Sequence, residues 1–179
     1  MTEQTTLTRR ATLGLGLAGL GAMMFPMPAL ATGRGSFGLM MTNGNTDERF
    51  RHTLIADGKW VREALAEFDW FARDWRENSD YPIDTESILM LMKLQQLMDT
   101  SEPMILLSGY RTPATNSKLR GAATDSLHLR GMALDITQPG RDLRDLHRAA
   151  VSMRRGGVGY YPRNHFVHID TGRLRHWKG

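Results

Sequence analysis

Two apolar stretches in the last third of the chain each carry a residue that an apolar strand cannot leave without a partner. In Met132-Ala-Leu-Asp135-Ile-Thr137 a carboxylate falls between Leu134 and Ile136. In Phe166-Val-His168-Ile-Asp170 an imidazole falls between Val167 and Ile169. A strand alternates its faces, so Leu134 and Ile136 are buried when Asp135 points the other way, and His168 stands in the same relation to its neighbours. A polar side chain in such a setting is costly unless something pairs with it. The fold must therefore supply a polar cluster on the far side of these strands.

A third residue suits that cluster. His128 lies seven positions before Asp135, in Ser126-Leu-His128-Leu-Arg-Gly131. That spacing is too long for ligands on one turn of helix and suits a loop running into a strand, with Gly131 allowing the bend. Singly, His128 reads as a loop histidine, Asp135 as a turn carboxylate and His168 as a hydrogen-bonded core histidine. Together, two imidazoles and one carboxylate are what a tetrahedral zinc needs if its fourth position is to hold water. Such water is acidic enough to supply hydroxide near neutral pH.

The remaining sequence bounds where this chemistry would operate. The chain has 179 residues, 41% hydrophobic and 23% charged, enough for one ordinary globular domain. It has no cysteine, which excludes disulfides, thiolate metal sites and thiol nucleophiles. The net charge of +4 favours an anionic partner. The basic residues are scattered and match no recognition motif, so nucleic acid is not expected as a partner.

The N-terminus reads as an address. Thr8-Arg9-Arg10 precedes an uncharged run rich in Gly, Ala, Leu and Met, broken by Pro26 and Pro28 and ending in Ala29-Leu-Ala31. A charged start, a modest apolar core and a small-residue cleavage site describe a signal peptide over residues 1–31, and the paired arginines point to twin-arginine export. Residues 32–179 are then the mature domain, with no stable membrane span after cleavage. An uncleaved anchor is the alternative.

In that domain the spacing predicts a hairpin of 38–42 with 50–55 around Asn43-Gly-Asn-Thr46. A helix is expected over 59–76, with Trp60, Val61, Leu65, Phe68, Phe71 and Trp75 as its apolar set. A second helix runs from an Asp84 or Thr85 cap to Met98, carrying Ile88, Leu89, Leu91, Met92, Leu94 and Leu97 inward. Pro103–Gly109 reads as a buried strand, with a short helix ending near Leu119. Met132–Thr137 reads as another strand and Asp142–Met153 as a third long helix. Val158–Tyr161 pairs with Phe166–Asp170, and a last short strand covers 173–177. This order is α+β, with a small antiparallel sheet and helices packed on one side.

Three segments carry a family resemblance: Ser108-Gly-Tyr-Arg111; Ser126-x-His128-x6-Asp135; and Gly156-Gly-Val-Gly-Tyr-Tyr-Pro-x3-Phe-Val-His168-Ile-Asp-Thr-Gly-x3-His-Trp177. They resemble the murein endopeptidase K-like family, among the D-Ala-D-Ala carboxypeptidase-like (LAS) zinc peptidases. The resemblance implies a LAS/hedgehog-like fold, a periplasmic location and cleavage of peptide cross-links in peptidoglycan stem peptides. It also implies Zn2+ held by His128, Asp135 and His168. Arg111 is then a candidate for a substrate carboxylate or the tetrahedral oxyanion, with a surface salt bridge as its plain alternative. The base stays open between His165, three before the last ligand, and Asp170, which could instead orient a ligand imidazole. Ser126 and Tyr161 are candidate substrate contacts, and Tyr160 and Trp177 candidate cleft walls. His52, His147 and His176 receive no role. Two other activities fit the same residues: a D,D- or L,D-carboxypeptidase on stem peptides, and a non-catalytic zinc-containing peptidoglycan-binding module.

Overall fold

The computed structural model describes residues 35–179. The expected signal peptide at 1–31 lies outside them. Eight strands form one sheet: β1 (Phe37–Asn43), β2 (Arg49–Ala56), β3 (Lys59–Trp60), β4 (Met104–Ser108), β5 (Ala133–Thr137), β6 (Gly157–Tyr161), β7 (Phe166–Asp170) and β8 (Arg175–Lys178). Their order across the sheet is β3-β2-β1-β4-β5-β7-β6-β8. The α+β class holds, but the sheet is neither small nor wholly antiparallel. β1 runs parallel to β4, and β6 parallel to β8. The hairpin of β1 and β2 and the five later strands, each legible locally, fuse through the β1–β4 pairing.

Among the described residues four α-helices accompany the sheet: α1 (Arg62–Phe71), α2 (Thr85–Met98), α3 (Pro113–Lys118) and α4 (Leu143–Ser152). Asp84 caps α2 by accepting from the Glu86 amide, and Asp142 caps α4 by accepting from the Arg144 amide. The helix expected over 59–76 is shorter. Asp57 and Gly58 both take positive φ, so β2 turns into β3 and Trp60 pairs with Ile55 in the sheet. Beyond Ala72 the chain leaves the helix, Asp74 bridges to Ser79, and Trp75 is exposed. On α2, Leu97 is 43% exposed, whereas Met90 and Met98 take core places.

Registry divides the sheet cleanly. Leu134 pairs with Ile169, Ile136 with both Leu106 and Val167, and Val158 with Ile169. All six side chains are buried and point to the face on which α1, α2 and α4 pack. The opposite face carries Asp135 beside His168, with Gly159 and Trp177 in the same row. Asp170, Gly157 and Arg175 form the next row. Among the described residues no helix is long and apolar enough to cross a membrane.

Candidate metal centre

His128 reaches this row from a 3-10 turn, Leu127–Arg130, rather than an extended loop. Gly131 ends the turn in a left-handed conformation, φ 65°. The His128 ring is 2% exposed, and its Nδ1 lies 2.7 Å from the Gly109 carbonyl. A carbonyl only accepts, so Nδ1 carries the hydrogen and Nε2 keeps a bare lone pair. Burial holds His128 neutral by pushing its pKa down. His168 is fixed from the other side: its Nε2 lies 3.1 Å from Asp170 Oδ2, which leaves Nδ1 facing inward.

Three donor atoms therefore converge. His128 Nε2 is 3.3 Å from His168 Nδ1 and 3.3 Å from Asp135 Oδ1, and His168 Nδ1 is 2.8 Å from the same oxygen. Burial alone would raise the Asp135 pKa, but the contacts with His128 and His168 hold it far below the usual carboxylate range. Burial opposes a charge on His168, yet its hydrogen bonds to Asp135 and Asp170 lift its pKa above the ordinary value. The cluster thus favours a cation among the three donors. A tetrahedral ion with bonds of about 2.0–2.1 Å requires donor separations of roughly 3.3–3.4 Å. Two of the three edges meet that length and the third is shorter. The three residues can hold a metal ion.

The surroundings are built to keep those donors in place. Asp170 is fully buried and accepts from the amides of Gly157 and Gly172, from both terminal nitrogens of Arg175, and from His168. Its pKa is held well below normal, because those bonds outweigh burial. Gly157 is required by this packing, since a Cβ there would lie 2.4 Å from Asp170 Oδ2. Gly159 is required for a similar reason: a Cβ would lie 2.7 Å from the Trp177 ring, which packs against His168 with ring centroids 5.3 Å apart. Trp177 Nε1 donates to the Tyr161 hydroxyl at 2.8 Å.

Arg111 donates through Nη2 to Asp135 Oδ2 and through Nε to Ser108 Oγ. It is therefore a partner of the buried Asp135 carboxylate, not a surface salt bridge. Its loop is anchored by Asp74, 2% exposed, whose Oδ2 accepts from the Thr112 amide and hydroxyl, each at 2.9 Å. Neither Asp74 nor Arg175 stands out in the sequence. Asp74 is an ordinary acidic residue in a charged loop, and its partner lies 38 positions away.

The other candidates are placed less tightly. Ser126 precedes the 3-10 turn, is half-buried and makes no capping bond with its side chain. Tyr160 points to the helix face and packs on His147, so only Tyr161 and Trp177 wall the site. His165 closes the β6–β7 turn, exposed and left-handed at φ 58°. It is not brought to the donor cluster.

A buried cluster of two imidazoles and a carboxylate, with the distal nitrogen of each ring already committed, defines the centre of a metal-dependent hydrolase. The family model described as peptidoglycan L,D-endopeptidase MepK matches residues 32–177. The chain belongs to this family. It is 43% identical over 176 residues to peptidoglycan L,D-endopeptidase MepK of Escherichia coli (strain K12), covering 94% of this chain and 96% of that protein. It is 33% identical over 178 residues to the probable peptidoglycan L,D-endopeptidase MepK of Haemophilus influenzae, covering 96% of each. The resemblance carried by the Ser108–Arg111, Ser126–Asp135 and Gly156–Trp177 segments is thereby borne out.

Proposed function

We propose that this chain is a zinc-dependent peptidoglycan endopeptidase that hydrolyses the L,D-type peptide cross-links named in its relatives, working in the periplasm after twin-arginine export. The observation that carries the reading is the convergence of three potential donor atoms, His128 Nε2, Asp135 Oδ1 and His168 Nδ1, within 3.3 Å of one another. Two nitrogens and one carboxylate oxygen are a zinc donor set that leaves a fourth position open. A zinc ion bound there supplies a Lewis acid and water acidic enough to attack an amide near neutral pH.

The chain's own residues do the rest. His168 Nδ1 ligates only when it carries no proton, so any proton shared between it and Asp135 leaves as the ion is loaded. Asp170 acts as a positioning residue: it fixes the His168 tautomer, and its oxygens are already filled by five hydrogen bonds. Arg111 keeps Asp135 turned so that Oδ1 faces the histidines. Its Nη1 is engaged by neither Ser108 nor Asp135 and is suited to a substrate carbonyl as negative charge develops there. The Tyr161 hydroxyl accepts from Trp177 and retains its own hydrogen to donate to substrate. Ser126 is a further substrate contact at the entrance to the 3-10 turn. His165 is an exposed residue of the turn, and the proton lost by the attacking water reaches the leaving amine through solvent rather than through it.

Digestion of defined cross-linked muropeptides, with mass analysis of the products, tests this reading. Release of the two uncross-linked peptides by zinc-loaded protein is expected, and none by chelated protein. Release of a single terminal amino acid would establish the carboxypeptidase instead. Binding without any product would establish the non-catalytic module.

A further inference from the structure

The sheet face that carries the donors continues beyond them. One register step from the Asp135–His168 row, Tyr161 pairs with Phe166 and Thr42 pairs with Ile105. Thr137 joins them, since it pairs with Ile105 and follows Ile136, the partner of Val167. Strand alternation points all five side chains to the same face as the donors. Each is half-buried, and the Tyr161 and Phe166 rings stack with centroids 4.4 Å apart. The row ends at Arg49, the exposed partner of Thr42 on β2. On the opposite side of the donors the face is closed, since the His128 turn lies against β5 and Leu127 approaches Gly172.

We propose that this row is the floor of a substrate subsite that takes one extended, carboxylate-bearing peptide arm of the cross-link and runs from the donors to Arg49. The inference rests on the peptidoglycan reading above. Length supports it: β5 to β2 is three strand spacings of about 4.8 Å, roughly 14 Å, which an extended peptide covers in about four residues. Chemistry supports it as well. Aromatic rings and the Ile105 and Thr42 side chains suit small apolar residues, and a guanidinium at the far end suits a carboxylate. Continuity with the donor row leaves the arm lying across the strands with its scissile end beside Asp135 and His168.

The test compares a cross-linked muropeptide carrying the complete arm with one trimmed to the residues flanking the scissile bond. Hydrolysis and equilibrium binding are both measured on zinc-loaded wild type, Arg49→Glu and Ile105→Gln, with zinc content and thermal unfolding checked. Wild type is expected to prefer the complete arm by roughly tenfold or more, and both variants are expected to bring that ratio close to one. A ratio unchanged in both folded, zinc-loaded variants would overturn the subsite. Arg49-dependent binding of the complete arm without hydrolysis of either compound would leave the subsite standing and remove the peptidase reading.

Discussion

The two faces of β5 and β7 are made by the same ten residues and do opposite work. On one face Leu134, Ile136, Val167 and Ile169 are fully buried under the helices. On the other, Asp135, His168 and Asp170 are held in place by Arg111, Arg175 and two glycine-lined approaches. The first face is specified by volume and tolerates exchange of one apolar residue for another, at a cost set by the cavity left behind. The second is specified atom by atom, because each donor has its other polar atom committed elsewhere. A one-residue slip of register would bury the carboxylates and expose the core, so each face enforces the other.

The comparison predicts a separation of effects, largest first. His168→Ala should abolish both stoichiometric zinc and hydrolysis while the protein stays folded, as metal analysis and circular dichroism would show. Full zinc in that variant would break the ligand assignment. Ile169→Ala, one residue along and on the helix face, should cost about 2–5 kcal/mol of stability in denaturant unfolding while zinc stoichiometry is retained. Asp170→Asn should weaken zinc by about 10–100-fold in a competition titration, since the ring it orients loses its charged partner.

Asp170 also sets a pH dependence. Its folded pKa is depressed, so its contribution to stability is full above the unfolded carboxylate value of about 3.9 and is lost as pH falls below it. Acid unfolding of the metal-free protein should show this loss, and Asp170→Asn should flatten it. Asp74→Asn should keep zinc but lower kcat/KM by on the order of tenfold, because the loop that carries Arg111 loses its anchor. Equal loss of zinc in that variant would make Asp74 merely structural. His165→Ala should change kcat by no more than about twofold, with an unaltered pH–rate profile.

The sequence made the second face unusually legible. Polar residues inside apolar strands announce themselves, and Asp135 and His168 did so without any knowledge of their partners. The glycines at 157 and 159 were visible as part of a family pattern, and the structure supplies their reason in the space taken by Asp170 and Trp177. The helices with polar caps, α2 and α4, fell within a residue of their expected bounds. The one that failed was α1, whose preceding residue, Val61, offers no side-chain cap and whose flanking tryptophans extend the apolar period past both ends. Long-range pairing was the other loss. Nothing local in Met41 or Met104 says that β1 will join β4 in parallel, and nothing in Asp74 says that it will hold Thr112.

The most direct test of the central claim is a zinc titration of metal-free protein, followed in parallel by cross-link hydrolysis. The account predicts that activity rises linearly with added zinc and stops at one ion per chain, and that replacing His128, Asp135 or His168 removes both the binding and the activity. Full hydrolysis by rigorously metal-free protein, or tight binding of one zinc in a variant lacking two of those three residues, would contradict it.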